Sequence, residues 1–188
     1  GYIKIHRVGL HRPGADNTEF SQWPLKLNKW LFPFLAYSKG FSLHRKHNFA
    51  GHWCMLAFTG AIGSLLFKLT FPKVKYVLDL QDGRTYEERK DTFGPIVFPI
   101  IRASFKKTDM IKGLGTFHKV VAEKMGSKSD FKRIPNGVAT SIFANGVENS
   151  DTKAVKEKLK LKSDKKYLIS TTRLVARRGH EALITSLS

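Results

Sequence analysis

The clearest pattern in the chain lies at residues 73–83, KVKYVLDLQDG, where a continuous apolar stretch ends in acidic and turn residues. A run such as Tyr76-Val77-Leu78, with no polar alternation, predicts a parallel strand buried on both faces. Upstream, residues 2–10 (YIKIHRVGL) alternate apolar and polar and predict a strand. Residues 20–40 place apolar and aromatic side chains at helical spacing, interrupted by Pro24 and Pro33, and predict a helical segment ending at Gly40. FSLHRKH (41–47) is a second strand candidate, and residues 48–71 predict one long apolar helix closed by Pro72, with Gly60, Gly63 and Ser64 suited to close packing.

Downstream, the first part of residues 84–109 is polar and reads as loop; its second part predicts a helix from about Pro99 to Lys107. MIKGLG (110–115) predicts a short strand leaving through glycines. TFHKVVAEKMG (116–126) predicts a helix capped by Thr116 and stopped by Gly126. FKRIPNGV (131–138) is a strand closing in a Pro-Asn-Gly turn. SDTKAVKEKLKLK (150–162) is a lysine-rich amphipathic helix. KKYLIS and the following residues to Ser188 read as a strand, a basic turn and the start of a helix. Strands alternating with helices through short loops predict an α/β fold, a parallel sheet covered by helices on both faces.

In such sheets ligands bind beyond the carboxyl ends of the strands. That rule selects His47-Asn48, Gln81-Asp82-Gly83, Gly113-Leu114-Gly115-Thr116 and the turn from Arg173 to Gly179, with Asn136-Gly137 after another strand.

The balance of 33 Lys+Arg against 15 Asp+Glu gives +18, which favours an anionic partner: nucleic acid, an acidic membrane surface or a phosphorylated substrate. The longest run free of histidine and of charged residues, residues 53–67, falls short of the roughly 20 apolar residues that span a bilayer. The single cysteine, Cys54, permits no internal disulfide and suits a reducing compartment. No basic-then-apolar leader precedes residues 2–10, so the reading is cytoplasmic. The scattered Cys, His and Asp lack metal-ligand spacing, and no Walker, Gly-x-Ser-x-Gly or Cys-x-x-Cys motif occurs.

RIPNGVATSIF (133–143) resembles the IPNGVD segment of the family 4 glycosyltransferases of the GT-B fold. TTRLVARRGHEALI (171–184) resembles that family's GRLVxxKG turn, and HNFAGHWCMLAF followed by PKVKYVLDLQDG is similar to its acceptor-side strand–helix–strand. The resemblance implies a Rossmann-like acceptor domain over residues 1–143, a linker with the lysine-rich helix over 144–165, and the start of a nucleotide-sugar domain over 166–188. It also implies a longer enzyme, because the family's glutamate pair would lie beyond Ser188. As site residues it implies Gln81 and Asp82 at the reaction centre, and His47, Asn48, Gly115 and Thr116 on the acceptor side. Asn136 and Gly137 fall at the inter-domain turn, and Arg173 and Arg178 on the donor diphosphate, whose leaving charge the arginines stabilise. The implied substrates are a nucleotide-sugar and a glycan or lipid-linked acceptor, with no cofactor and no metal. The basic charge would hold the protein at the cytoplasmic face of an anionic membrane.

Departures from the family pattern are Thr172 for the glycine before the arginine, Ala139 for the aspartate after IPNGV, Arg178 for lysine, Gln81 for histidine and Gly115-Thr116 for serine. The other reading of the charge is a nucleic-acid-binding protein without enzymatic activity. No helix-turn-helix, zinc-finger or RNP-like signature accompanies it.

Overall fold

The computed structural model describes residues 3–10, 22–140, 150–162, 165–172, 174 and 178–187. The chain divides into two units, Gly1–Gly137 and Val138–Ser188.

The first unit is an α/β sandwich. After a short 3-10 turn at Leu25–Leu27 come α1 (Asn28–His47), β1 (Gly51–Met55), α2 (Thr59–Thr70), β2 (Lys75–Leu80), α3 (Tyr86–Lys107), β3 (Met110–Gly113), α4 (Thr116–Lys124) and β4 (Asp130–Arg133). The four strands form one all-parallel sheet in the order β1-β2-β3-β4. β2 is interior, as its unbroken apolar run predicts.

Each crossover steps to the next strand in the same direction. With right-handed connections, the helices then gather on one face. The core follows this rule: Cys54, Tyr76, Leu78, Leu80 and Ile111 share one strand face and pack with Ala61, Ile101, Phe105, Val121 and Met125 of α2, α3 and α4. The described helices therefore meet one face of the sheet, where two-sided cover was expected. α1 forms a further layer on α2. Small residues permit that contact: a Cβ on Gly63 would stand 2.7 Å from the Pro33 carbonyl oxygen, and one on Gly40 would touch the Phe67 ring at 3.4 Å.

Four elements of the first unit differ from the sequence reading. Residues 3–10 are irregular, with Ile3 and Ile5 exposed, because their alternation finds no strand to pair with among the described residues. Residues 41–47 are the last turns of α1; Gly40 is a packing notch rather than a stop. The apolar run from residue 48 divides into β1 and α2, since Gly51–Met55 pair with Lys75–Asp79. The polar segment after residue 84 is the first half of α3. Its Thr85 hydroxyl accepts the Glu88 N–H, while the Glu88 carboxylate accepts the Thr85 N–H. The helix kinks at Gly94 (φ 64°, ψ −178°), ahead of Pro95.

The second unit contains α5 (Ser150–Lys158) and α6 (His180–Thr185). Residues 165–170, expected as a strand, are irregular, with Leu168 and Ile169 exposed. Among the described residues, no helix is long and apolar enough to cross a membrane.

Candidate functional site

The carboxyl edge of the sheet gathers polar side chains on an otherwise apolar frame. Asp79 and Lys112 are direct register partners on β2 and β3, 1% and 7% exposed. Lys112 Nζ donates to Asp79 Oδ2 at 3.1 Å. Gln81 Nε2 donates to Asp79 Oδ1 at 2.9 Å, and Gln81 Oε1 accepts from Asn136 Nδ2 at 2.9 Å. The chain Lys112–Asp79–Gln81–Asn136 thus ties two strands to the loops that follow β2 and β4. The ionised carboxylate can only accept, so it orients the Gln81 amide with its nitrogen inward and its oxygen toward Asn136.

Beside it, Asp82 Oδ1 accepts from Arg89 Nη2 at 2.6 Å; the Arg89 side chain is wholly buried. Arg84 Nε lies 3.9 Å from Asp82 Oδ2, and its guanidinium stacks 4.5 Å over the Phe58 ring, bringing in the loop after β1. Asp82 Oδ2, Arg84 Nη1 and Arg89 Nε and Nη1 are buried without a hydrogen-bond partner. Both acceptor and donor capacity therefore remain in this group. Gly115 and Thr116 occupy the same edge as the N-cap and first residue of α4; the cap is Gly115, where Thr116 was expected.

The structure brings together Gln81, Asp82 and Asn136, with Gly137 at the end of the first unit and Gly115 and Thr116 after β3. His47 and Asn48 lie elsewhere. They end α1, with Asn48 as its left-handed cap (φ 48°) donating N–H to His44 O at 2.8 Å, and they precede β1, so they stand at the amino edge of the sheet. Their assignment rested on a strand over 41–47 that is helix. Arg178 is described and exposed ahead of α6; Arg173 lies outside the described residues.

Sequence reasoning missed Asp79, Lys112, Arg84 and Arg89. The first two had a legible signal: a charge inside each of two buried strands requires a partner. Among the described residues, no group of three or more His, Cys, Asp or Glu could hold a metal ion.

The amino edge carries a second cluster. Lys68 Nζ donates to Asp109 Oδ2 at 2.7 Å and to the carbonyls of Pro72 and Val74, and Asp109 also accepts the Tyr76 N–H. Burial pushes the Asp109 carboxyl up, but the Lys68 hydrogen bond, the Tyr76 N–H and the charges of Lys68 and Lys75 together hold it below its ordinary value. His52 stacks on Tyr76 at 4.6 Å, and burial lowers its pKa from 6.5 to about 4. This edge is a pinned structural joint.

No known protein family, curated protein or solved structure matched the chain in comparison.

Proposed function

We propose that this chain carries the acceptor side of a glycosyltransferase, which moves a sugar from a nucleotide-sugar to a glycan or lipid-linked acceptor. The observation supporting this reading is the hydrogen bond from Asn136 to Gln81. It joins IPNGV and YVLDLQDG, two segments far apart in sequence that both resemble family 4 glycosyltransferases, at the edge where parallel sheets bind ligands.

In this reading Gln81 and Asp82 hold the acceptor's hydroxyl groups, and Arg89 fixes the Asp82 carboxylate. The acceptor hydroxyl gives its proton to Asp82 Oδ2, which has no hydrogen-bond partner in the structure, and its oxygen forms the new bond to the sugar carbon as the bond from that carbon to the diphosphate oxygen breaks. The nucleoside diphosphate leaves with the electron pair. Arg173 and Arg178 offset its growing charge, and Gly115 and Thr116 border the acceptor. A lipid-linked acceptor would bring the protein to the cytoplasmic face of an anionic membrane.

The test is turnover of a panel of nucleotide-sugars by the reading frame that contains this sequence, alongside its Arg173→Ala and Asp82→Ala variants. Losing a charge-assisted contact made in the transition state lowers turnover about a hundredfold for Arg173→Ala. Losing a hydrogen bond to a charged group lowers it about tenfold or more for Asp82→Ala. Failure of every donor, or variants as fast as the parent, would overturn the reading.

A further inference from the structure

We infer that the outer face of α1 docks on an anionic lipid bilayer. The inference extends the membrane location proposed above and is tested apart from the transfer chemistry, because vesicle binding and donor turnover are read separately.

Four observations carry it. First, all three tryptophans of the chain are exposed: Trp23 by 69%, Trp30 by 58% and Trp53 by 60%. Tryptophan is ordinarily well covered, so three uncovered ones call for a partner. Second, α1 is apolar on two sides. One stripe, with Pro33, Tyr37, Gly40 and His44, packs on α2. Away from that stripe Trp30, Leu31, Phe34 and Leu35 are exposed, with Val8 to Leu10 alongside the two leucines, where a helix at a protein–water surface would be polar.

Third, cations flank the aromatics. Lys26 Nζ lies 5.8 Å from the Trp23 ring, and Lys29 Nζ 5.4 Å from the Trp30 ring. Tryptophan with lysine is the pairing that suits a membrane interface, the ring at headgroup level and the ammonium on the phosphates. Fourth, the charge around this face has one sign: no Asp or Glu occurs between Glu19 and Asp79, while α1 carries Lys29, Lys39, Arg45 and Lys46. An anionic surface meets no opposing carboxylate from this stretch.

An apolar pocket of about 310 Å³ also opens between α1, α2 and β1, bordered by Phe32, Ala36, Trp53, Met55 and Phe67. The exposed leucines and the apolar pocket suit acyl chains, which bury aliphatic surface, whereas nucleic-acid bases stack on aromatic rings alone.

The experiment mixes the 188-residue chain with vesicles of phosphatidylcholine plus phosphatidylglycerol, or of phosphatidylcholine alone, and follows sedimentation and quenching of tryptophan emission by brominated lipid. Because every tryptophan is exposed in the acid-free stretch, the emission reports that region. Binding should require phosphatidylglycerol and weaken with salt. Lys26→Ala and Lys29→Ala should each weaken it about fivefold. Trp30→Ser with Phe34→Ser should abolish quenching, while Lys119→Ala on α4 leaves it unchanged. If the aromatic double variant fails to fold, Lys26→Glu with Lys29→Glu carries the same test on exposed charges alone. Equal binding to neutral vesicles, undiminished binding by either double variant, tighter binding to duplex DNA, or a dimer that buries this face would each overturn the inference.

Discussion

The carboxyl ends of β2 and β3 and the outer side of α1 invert the usual partition in opposite ways. At the strands, Asp79 and Lys112 are charged and buried; on α1, Trp30 and Phe34 are aromatic and exposed. The buried charges are tolerable because each has its counterpart in register, and the carboxylate's second oxygen is used by Gln81. Two such charges add little net stability over apolar residues of the same shape, but a single one is costly. Trp30 is met by the Lys29 ammonium, 5.4 Å from its ring, and the exposed aromatics contribute little to the fold. The first arrangement is completed inside the molecule. The second points to something outside it.

The hardest blow to this contrast would come at Lys112. Lys112→Ala leaves a buried, unpaired carboxylate and should lower unfolding free energy by about 3–5 kcal/mol in urea titration, whereas replacing both Asp79 and Lys112 with leucine should recover most of the loss. A loss below about 1 kcal/mol would mean that the pair behaves as a surface ion pair.

A smaller effect comes from His52. Its folded pKa, about 4, lies below the ordinary 6.5, so the unfolded chain takes up the proton first. The stabilisation is complete above pH 6.5 and is lost as pH falls toward 4. The expected change is about 2 kcal/mol, discounted for the partial solvent access of the ring. Asp109, held below its ordinary value, loses its contribution as pH falls further. His52→Phe should flatten the slope between pH 6.5 and 4 while leaving the acid-side loss; an unchanged slope would assign it to another group.

The smallest effect sharpens the other side. Trp30→Ser and Phe34→Ser should each change stability by no more than about 0.5 kcal/mol, as exposed positions do. Losses of about 2 kcal/mol or more in thermal unfolding would show that these side chains are covered in solution.

Much of the sheet was legible because its signals are local. The apolar run of β2, the glycines after β3 and the turn after β4 each mark a strand without reference to the rest of the chain. The cap of α3 was equally local, since Thr85 and Glu88 stand at capping-box spacing, and a reading that weighed polarity alone passed over it. β1 was not legible: Gly51–Met55 and the residues of α2 form one apolar stretch, and periodicity cannot separate a buried strand from a buried helix. Of the site, Gln81, Asp82, Asn136, Gly115 and Thr116 could be picked out by their place after strands. His47 and Asn48 were misplaced for the same reason that 41–47 was misread.

By itself the sequence determined the parallel α/β class, the interior strand at 75–80, the excess of positive charge and the acid-free aromatic stretch, since each depends on composition or on side chains close together along the chain. Tertiary structure alone decided that Gly40 is a notch for Phe67, that α2, α3 and α4 share one face of the sheet, that Asp79 meets Lys112, and that Asn136 reaches Gln81 across 55 positions. Those outcomes depend on which strands lie side by side. Pairing between distant segments leaves no mark in either segment read alone.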